Sequence, residues 1–258
     1  MSFLEKTLHV GLDIGSAAIK AVFVKDGRIL WRGLAPTAPG QAIVAQKLIE
    51  DGYTQLGLES ALPIMVVSTG YGKKLFQRAD RNVDEITANA QGAFSLSEGK
   101  ARTVINIGGQ DMKVIIMNGD GRVVDFKMND KCAAGTGRFF ELVARVLDTP
   151  ISDFDRLCAS STEEVEINST CVVFAESEII SLLARGVRKE AILQALHVSI
   201  ARRITGLLGR NLPQGAVFLD GGPAQNRALA AAIENELMAE VYVLNAPQYT
   251  VAYGAALV

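Results

Sequence analysis

The sequence predicts an α/β protein made of two similar halves that face each other across a cleft. Two observations carry this prediction: a strand–turn–strand pattern occurs twice along the chain, and helical segments follow each copy. The chain has 258 residues, which is enough for two domains of ordinary size. No linker rich in proline and serine separates the copies, so we expect the two halves to be closely joined.

The first copy of the repeat runs from Leu12 to Gly33 and the second runs from Ile105 to Lys127. Three pairs of residues match at one constant offset: Asp13 with Asn106, Gly15 with Gly108, and Lys20 with Lys113. Each copy predicts a strand, a tight glycine turn, a second strand, an Asp-Gly hairpin and a third strand. The alternative is two unrelated hairpins with common turn residues, but it explains less well why glycines, charges and apolar alternation agree together.

Helices are predicted after each copy. Apolar residues recur at three-to-four spacing in five segments, 42–53, 83–96, 135–148, 175–186 and 189–210. Two further strands are predicted at 216–222 and 240–244. We therefore expect residues 1–100 to form the first half and residues 101–258 the second half. The C-terminal helix is able to pack back on the first half.

Composition excludes several classes of function. The formal net charge is −2, which gives no electrostatic reason for binding nucleic acid or an anionic membrane. No apolar run approaches the ~20 residues that span a bilayer. The N-terminal MSFLEKTLHVG lacks the pattern of a signal peptide. We therefore expect a cytoplasmic protein, in which the three cysteines do not form a structural disulfide.

Three glycine turns follow apolar strands and predict a phosphate-binding site. They are Gly15-Ser16, Gly108-Gly109 and Gly221-Gly222-Pro223. Glycine lets backbone N–H groups point into a turn and approach a phosphate closely. A single turn of this kind is usually structural, which is the alternative for each of them. Three such turns, two of them related by duplication, favour the phosphate interpretation.

Charged residues beside these turns predict how a nucleotide would be held. Asp13 and Asp111 are candidates to hold Mg²⁺, directly or through its waters, because this ion prefers carboxylate, water and phosphate oxygens. Lys20 follows Asp13 by about one hairpin and is a candidate to neutralise phosphate charge.

Several motifs resemble known families. DIGSAAIK, INIGGQD and LDGGPAQN resemble the actin, heat-shock chaperone and sugar-kinase superfamily of ATPases. NDKCAAGTGRFFE, STCVVFAESEIISLLARG and PQYTVAYGAAL resemble, more narrowly, the ATP-dependent activators of 2-hydroxyacyl-CoA dehydratases and their relatives that serve benzoyl-CoA reductases. The resemblance spans nearly the whole chain. It implies an actin-like ATPase fold with two duplicated ribonuclease H-like halves around a nucleotide cleft.

The turns and the resemblance together give a set of candidate site residues for ATP or ADP with Mg²⁺. Asp13, Gln110 and Asp111 are the candidate catalytic residues. The candidate nucleotide-binding residues are Gly15, Ser16, Ala17, Lys20, Gly108, Gly109, Gly135, Thr136, Gly137, Gly221, Gly222, Pro223, Asn226 and Gln248. Two positions depart from the family pattern, because Ala17 stands where Thr is usual and Asn106 stands where Asp is usual. Either departure is expected to weaken the positioning of metal or water.

Two of the three cysteines are predicted at the entrances of helices. The N–H groups and the partial positive charge of a helix N-terminus stabilise a thiolate or an anionic cluster, which makes Cys132 and Cys171 candidate metal ligands. Cys158 is predicted to be a buried thiol on a short helix. The alternative for Cys132 and Cys171 is a structural role, because a free cysteine packs well. The helix-start context and the family resemblance favour the ligand role.

A [4Fe–4S] cluster needs four ligands, which are usually thiolates. One chain offers two, so a two-fold dimer in which Cys132 and Cys171 of each chain hold one shared cluster is the economical arrangement. The second half would then carry both the cluster ligands and the dimer interface. The helix opened by Gly135-Thr136-Gly137 would lie between the cluster and the nucleotide. Glu176 and Glu178 are interpreted either as first-turn carboxylates of the next helix or as cleft residues.

These patterns predict a dimeric iron–sulfur ATPase that passes single low-potential electrons to a partner dehydratase or reductase. Ferredoxin or flavodoxin is the electron donor that the resemblance implies. One alternative is a small-molecule kinase of the same superfamily, which needs a catalytic carboxylate and an acceptor pocket for which this chain length leaves little room. Another is a redox sensor or scaffold whose nucleotide site is only structural.

Overall fold

The structure of the chain is a computed structural model that describes residues 8–58, 64–129, 133–160, 163–168, 171–209, 213 and 215–258. In chain order, the helices and strands of the described residues are β1 (Leu8–Ile14), β2 (Ala18–Lys25), β3 (Arg28–Pro36), α1 (Gln41–Gln55), β4 (Ile64–Thr69), β5 (Arg81–Asn82), α2 (Glu85–Leu96), β6 (Thr103–Ile107), β7 (Met112–Met117), β8 (Val123–Asn129), α3 (Gly137–Val146), α4 (Phe154–Cys158), α5 (Val172–Ala184), α6 (Lys189–Leu208), β9 (Val217–Asp220), α7 (Arg227–Leu237), β10 (Val241–Val243) and α8 (Thr250–Leu257). Short 3-10 segments lie at Lys73–Leu75, Ile151–Asp153, Gly222–Gln225 and Pro247–Tyr249.

The chain divides into two compact units. The first comprises Met1–Ala101, Met117–Val124 and Tyr249–Val258, and the second comprises Arg102–Ile116 and Asp125–Gln248. Helix α8, at the C-terminus, is therefore part of the first unit.

The first unit is built on a five-stranded sheet with the strand order β3-β2-β1-β4-β5. Strands β1, β2 and β3 form an antiparallel meander, whereas β4 lies parallel to β1 on its other side. Helix α1 packs on one face, where Ala45 and Leu48 join Leu12 and Ile14 in one apolar cluster. Helices α2 and α8 cover the other face. The sheet is therefore buried on both sides, as is typical of an α/β layer structure.

Helix α8 approaches the sheet very closely because small residues lie at the contact. A Cβ atom at Gly11 of β1 would lie 1.7 Å from the carbonyl oxygen of Ala252. On the other side of α8, a Cβ atom at Gly254 would lie 1.7 Å from the carbonyl oxygen of Ala88 in α2. Both positions exclude any side chain, so glycine is required at each of them.

The second unit is built on a five-stranded sheet with the strand order β10-β9-β6-β7-β8. Strand β6 pairs antiparallel with β7 and parallel with β9, which in turn lies parallel to β10. Helices α3, α5, α6 and α7 contribute apolar residues to one large core together with β6, β7 and β9. The carboxyl ends of the parallel strands β6 and β9 lie side by side, which is where open α/β sheets bind ligands.

The duplicated pattern predicted from the sequence is confirmed at the level of secondary structure. Strands β1 to β3 and strands β6 to β8 repeat the same order around a glycine turn and an Asp-Gly hairpin. In the first hairpin, Asp26 has φ 51° and Gly27 has φ 73°. Positive φ at both central residues is typical of a type I′ turn, one of the two turns that two-residue hairpins favour.

One helix begins earlier than its sequence pattern predicts. The segment 175–186 was predicted as the helix, but α5 already begins at Val172, with Cys171 as its N-cap residue in an extended conformation. Glu176 and Glu178 therefore lie beyond the first turn, and their interpretation as first-turn carboxylates is wrong. The helix extends upstream because apolar residues directly after Cys171 continue it, a feature that helical periodicity does not locate.

Within the part of the chain that the structure describes, no helix combines the length and the apolar character that a membrane crossing demands.

Candidate functional site

The first glycine turn places Asp13 and Lys20 together at the end of β1. The two residues are register partners on β1 and β2, and Nζ of Lys20 donates to Oδ2 of Asp13 at 2.9 Å. The turn itself is closed by a hydrogen bond from Gly15 N–H to the carbonyl oxygen of Ala18 at 3.2 Å. Thr37 Oγ1 donates to the carbonyl oxygen of Gly15 at 2.7 Å. Asp13 is therefore a buried carboxylate whose charge one lysine balances.

At the tip of this turn, Ser16 and Ala17 are half-buried. The carbonyl oxygen of Ala17 accepts a hydrogen bond from Thr37 N–H at 2.9 Å. Residue 17 is therefore held by its backbone, and its own side chain is a methyl group.

The second glycine turn repeats the lysine–carboxylate pair with a different carboxylate. Lys113 occupies the position of Lys20 in the repeat, and its Nζ donates to Oδ1 of Asp111 at 2.6 Å. Both side chains are buried. Gly108 N–H donates to the carbonyl oxygen of Asp111 at 2.9 Å, which closes the turn. Gln110 lies exposed at its tip.

Asn106 hydrogen-bonds a carboxylate rather than the lysine of the repeat. It occupies the position of Asp13 in the repeat, and its Nδ2 donates to Oδ1 of Asp220, at the end of β9, at 2.6 Å. Both side chains are buried. An Asp at this position would place two carboxylates in contact, and like charges at that distance cannot both ionise without a large cost. The departure from the family residue is therefore matched by a neighbouring carboxylate.

The start of α3 is hydrogen-bonded to the second glycine turn. Gly137 N–H donates to the carbonyl oxygen of Gly108 at 2.9 Å, and Arg138 N–H donates to that of Gly109 at 3.0 Å. Thr136 Oγ1 also donates to the Gly109 carbonyl oxygen, at 3.0 Å. These groups are among the N–H and hydroxyl donors that a helix N-terminus offers. These donors therefore bond the carbonyl oxygens of the second glycine turn. The side chain of Thr136 is fully buried.

Close packing explains the first glycine of the Gly135-Thr136-Gly137 segment. Gly135 has φ 92°, in the left-handed region that favours glycine. A Cβ atom there would lie 2.5 Å from Cε of Met112. Gly135 thus brings the chain against β7 just before α3 begins.

The third glycine turn lies against the end of β6 and the start of α3, both in the second unit. Gly221 has φ 93°, and a Cβ atom there would lie 2.1 Å from the carbonyl oxygen of Ile107. Cγ of Pro223 lies 3.7 Å from the Cβ position of Gly137. Apart from its own atoms and its chain neighbours, no heavy atom of the described residues lies within 4 Å of the Cβ position of Gly222. The structure thus brings Gly108, Gly109, Gly137 and the 221–223 turn together.

Two other predicted nucleotide-binding residues have structural contacts. Oδ1 of Asn226 accepts a hydrogen bond from Leu229 N–H at 3.0 Å, so this side chain caps α7. Its Nδ2 is buried and has no hydrogen-bond partner among the described residues, and the same holds for Oε1 of Gln248. Gln248 follows Pro247, whose carbonyl oxygen accepts from Gly221 N–H at 3.0 Å. Gln248 is thereby placed next to the third glycine turn.

A further glycine turn was missed by the sequence analysis. Gly70-Tyr71-Gly72 follows β4, which lies parallel to β1. A Cβ atom at Gly70 would lie 2.6 Å from Oδ1 of Asp13, and Gly70 has φ 85°. The signal in the sequence is a Gly-Tyr-Gly directly after an apolar strand. Its importance was not visible, because nothing local to residues 68–72 indicates that β4 pairs with β1.

The cysteines differ in exposure. Cys171 is exposed at the N-terminus of α5, and its side chain makes no capping hydrogen bond. Cys158 ends the predicted short helix, α4, but its thiol is half-buried rather than buried. Burial, and then the carboxylate of Asp155, raise the pKa of Cys158, so this side chain stays a thiol at neutral pH. Cys132 lies outside the described residues.

The described residues contain no group of three or more His, Cys, Asp and Glu side chains that would hold a metal ion. A metal centre that uses Cys171 therefore needs ligands from beyond this set.

Helix α5 carries an exposed apolar surface next to Cys171. Val173 and Phe174 are each 69% exposed, and Ile180 and Leu183 are exposed further along the helix. Its other side packs in the core through Ala175, Ile179 and Leu182. Glu178 Oε1 accepts from Asn168 N–H at 3.0 Å, which ties α5 to the segment before Cys171. We call Val173, Phe174, Ile180 and Leu183 the apolar surface of α5.

Comparison with known proteins identifies close relatives over the whole chain. The model of the BadF/BadG/BcrA/BcrD ATPase family matches residues 10–258. The activator of lactoyl-CoA dehydratase from Anaerotignum propionicum is 40% identical over 248 residues, which cover 96% of this chain and 95% of that protein.

Solved structures agree with this finding. The activator of the 2-hydroxyisocaproyl-CoA dehydratase from Clostridium difficile, with bound ADPNP, is 39% identical with a TM-score of 0.91, and the match covers 97% of this chain and 93% of that chain. Component A of the (R)-2-hydroxyglutaryl-CoA dehydratase from Acidaminococcus fermentans is 38% identical with a TM-score of 0.92, and covers 98% and 97% of the two chains. A ROK family glucokinase from Streptomyces griseus shares the fold alone, with 16% identity and a TM-score of 0.61 over 96% of this chain and 98% of that one. The predicted actin-like ATPase fold is confirmed.

Proposed function

The chain belongs to the BadF/BadG/BcrA/BcrD ATPase family, and on that premise we propose that it is an ATP-hydrolysing iron–sulfur activator. It would deliver single low-potential electrons to a partner 2-hydroxyacyl-CoA dehydratase or a related reductase. Relatives that are named as activators of such dehydratases, at about 40% identity, support the proposal. The observation that carries it is the direct hydrogen bonding between a glycine turn of the nucleotide site and α3, the helix that follows Cys132.

The nucleotide would be held by the glycine turns, with Mg²⁺ at the carboxylates. Asp13 fits this ion, because it is a carboxylate whose two oxygens have different neighbours. Lys20 donates to Oδ2, whereas Oδ1 lies beside the backbone of Gly70. Mg²⁺ prefers carboxylate oxygens, waters and phosphate oxygens. Its charge would neutralise that of the phosphates. Lys20 and Lys113 hold the carboxylates Asp13 and Asp111 in fixed orientations.

In the second unit, the proposed contact is the turn at Gly222, where no other part of the described chain occupies the Cβ position. A nucleotide at this turn would touch backbone rather than long side chains. Backbone N–H groups at glycine turns are suited to phosphate or ribose oxygens. Asn226 and Gln248 would act mainly by holding this turn and α7 in place.

Cys132 and Cys171 are the proposed ligands of one [4Fe–4S] cluster shared by two chains. Such a cluster supplies one-electron transfer at a potential that its surroundings set. Cys171 fits this role, because its thiol is exposed at the positive end of a 13-residue helix. Cys158 fits this role less well, because its thiol is half-buried and it ends α4 rather than preceding a helix.

A second copy of the chain would complete the cluster. The apolar surface of α5 begins directly after Cys171, and exposed apolar patches of this kind mark interaction sites. A two-fold axis beside Cys171 would bring two such surfaces together and bury them. This supports the proposed homodimer.

The partner and the electron donor follow from the proposed role. The acceptor would be a dehydratase or reductase component, and ferredoxin or flavodoxin would be the donor, as the family resemblance implies. A cytoplasmic location stays a prediction. ATP binding and hydrolysis would serve to position and gate the cluster, without a covalent intermediate on the protein.

Metal analysis of anaerobically purified protein tests the proposal. We expect a dimer with about four irons and about four sulfides per two chains, because a cubane has four thiolate ligands. Cys171→Ala and Cys132→Ala should remove the iron, and Cys158→Ala is the matched control that should retain it. Full iron loading of the Cys171→Ala protein would exclude the shared cluster.

A further inference from the structure

A buried hydroxyl without a hydrogen bond lies beside the proposed magnesium site. Thr69 is the last residue of β4 and is 0% exposed, and its Oγ1 makes no hydrogen bond in the described part of the structure. Buried polar groups in folded proteins nearly always have a partner. A buried hydroxyl that lacks one is destabilising, so a bound ligand or a water held by it would supply the missing partner.

The sheet places this hydroxyl on the same side as the carboxylate of Asp13. Strands β1 and β4 are parallel, and Asp13 and Thr69 are register partners at their carboxyl ends. Side chains in register on neighbouring strands point to the same face, with the strands about 4.8 Å apart. Val67, two residues earlier on β4, packs on the α2 and α8 face. Thr69 points to this face as well, because side chains two residues apart on a strand share a face.

The two oxygens of Asp13 have different surroundings. Oδ2 accepts from Lys20 at 2.9 Å, whereas Oδ1 lies so close to Gly70 that a Cβ atom there would come within 2.6 Å of it. The chain turns over Oδ1 directly after Thr69, and Gly72 N–H anchors this turn on the carbonyl oxygen of Ile14 at 2.9 Å. The hydroxyl and the carboxylate thus belong to register partners on the same face of the sheet.

We propose that Thr69 is a positioning residue of the nucleotide site, whose hydroxyl hydrogen-bonds a water molecule of the Mg²⁺ hydration shell that also contacts Oδ1 of Asp13. This inference rests on the proposed function, because it needs a magnesium nucleotide at Asp13. Mg²⁺ usually keeps several of its waters in proteins. A hydroxyl both donates and accepts, so it is able to orient such a water beside an acceptor-only carboxylate.

The test separates the hydroxyl from the shape of the side chain. Thr69→Val keeps the shape and removes the hydroxyl, and Thr69→Ser keeps the hydroxyl. Ser68→Ala is the matched control, because Ser68 is also a fully buried hydroxyl of β4 but bonds Asn82 Oδ1 at 2.6 Å, away from Asp13. The readout is the dissociation constant of ADP with and without Mg²⁺, measured by calorimetry on the full-length protein.

We expect Thr69→Val to lose about fivefold of the affinity gain that Mg²⁺ gives, the effect of one hydrogen bond, and to bind ADP unchanged in the presence of EDTA. Thr69→Ser and Ser68→Ala should keep the gain within about twofold. The thermal unfolding midpoint of Thr69→Val should equal or exceed that of the parent protein, because an unpaired buried hydroxyl is lost. A threonine with only a structural role would not combine a smaller Mg²⁺-dependent affinity gain with an unchanged or higher unfolding midpoint.

Two results would overturn the inference in distinguishable ways. A Thr69→Val protein with the full Mg²⁺-dependent gain would show that the hydroxyl takes no part, while the nucleotide site stays intact. Absence of any Mg²⁺-dependent gain in the parent protein would instead remove the magnesium nucleotide site on which both proposals depend.

Discussion

At the scale of single residues, each glycine turn of the repeat is built around one lysine and one carboxylate. Lys20 contacts Asp13 across two strands, whereas Lys113 contacts Asp111 from the adjoining turn. A buried lysine left without its partner would be strongly destabilising, by about 3–5 kcal/mol. The carboxylate of Asp111 therefore compensates for the amide at Asn106, and Asn106 is free to bond Asp220.

The pair of Asn106 and Asp220 gives a prediction about stability. Asn106→Asp should lower the free energy of unfolding by about 2–4 kcal/mol at neutral pH, because two buried carboxylates would share one contact. Adding Asp220→Asn restores an amide beside a carboxylate with the order reversed, and should recover most of the loss. Urea unfolding of both single variants and of the double variant measures this coupling. Effects that simply add in the double variant would show that the two side chains do not interact.

At the scale of secondary-structure elements, α3 would connect the proposed nucleotide site to the proposed cluster ligands. Its first N–H groups bond the carbonyl oxygens of Gly108 and Gly109, so the turn and the helix form one hydrogen-bonded unit. Any shift of this turn between nucleotide states would then displace the N-terminus of α3. Hydrogen bonds and solvent around cluster sulfurs are among the factors that set the potential of an iron–sulfur centre.

Thr136→Val tests this connection. The change keeps the shape of the side chain and removes its bonds to the carbonyl oxygens of Gly109 and Ala133. In the parent protein, we expect the rate at which an external chelator removes iron to differ among no nucleotide, ADP and a non-hydrolysable ATP analogue. The differences should become smaller in Thr136→Val, because the helix follows the turn less closely.

Thr205→Val is the matched control for this experiment. Thr205 Oγ1 bonds only within α6, to the carbonyl oxygen of Ala201 at 3.1 Å, so its loss should leave the nucleotide dependence unchanged. Chelation rates that are identical in all three states of the parent protein would show that nucleotide and cluster are not coupled.

At the scale of the whole molecule, the core of the second unit contains a histidine that must stay neutral. His197 of α6 is buried, with its ring 5.6 Å from that of Phe140 in α3. Nδ1 lies 2.6 Å from the carbonyl oxygen of Leu193, and Nε2 is buried with no hydrogen bond to any residue that the structure describes. Burial lowers the pKa of His197 to about 4, against the opposing effects of Leu193, Asp155 and Asn226. The free energy that this apolar core contributes to folding is therefore expected to depend on pH.

This pKa predicts a loss of stability in mild acid. Above pH 6.5 the imidazole is neutral in the folded and unfolded chains, so it has no effect. As pH falls from 6.5 to about 4, the unfolded chain binds a proton that the folded chain does not, and the free energy of unfolding decreases by about 3 kcal/mol. Urea unfolding at chosen pH values from about 7.5 to about 4.5 should show this decrease. The His197→Gln variant should have a smaller slope of the free energy of unfolding against pH. An equal slope in both proteins would contradict the assignment.

Much of this molecule was predictable from patterns between near neighbours in the chain. The alternation of apolar residues, the Asp-Gly turns and the spacing of apolar residues in helices all act over a few residues, so they predicted the duplicated strands and most helices. The start of α5 was missed, because the residues from Val172 to Phe174 are apolar without helical periodicity. The family resemblance identified the ATPase fold, which local patterns alone did not.

The sequence by itself determined the elements and the types of residue at each glycine turn, because backbone preference and hydrophobic periodicity are local properties. Only the tertiary structure decided which distant groups meet. The parallel pairing of β1 with β4 brings Thr69 and Gly70 to Asp13, and the pairing of β6 with β9 brings Asp220 to Asn106. Parallel strands are joined by long crossover connections, so their partners are far apart in the chain. No local pattern records these contacts, because the register of the sheets sets them only when the core of each unit packs.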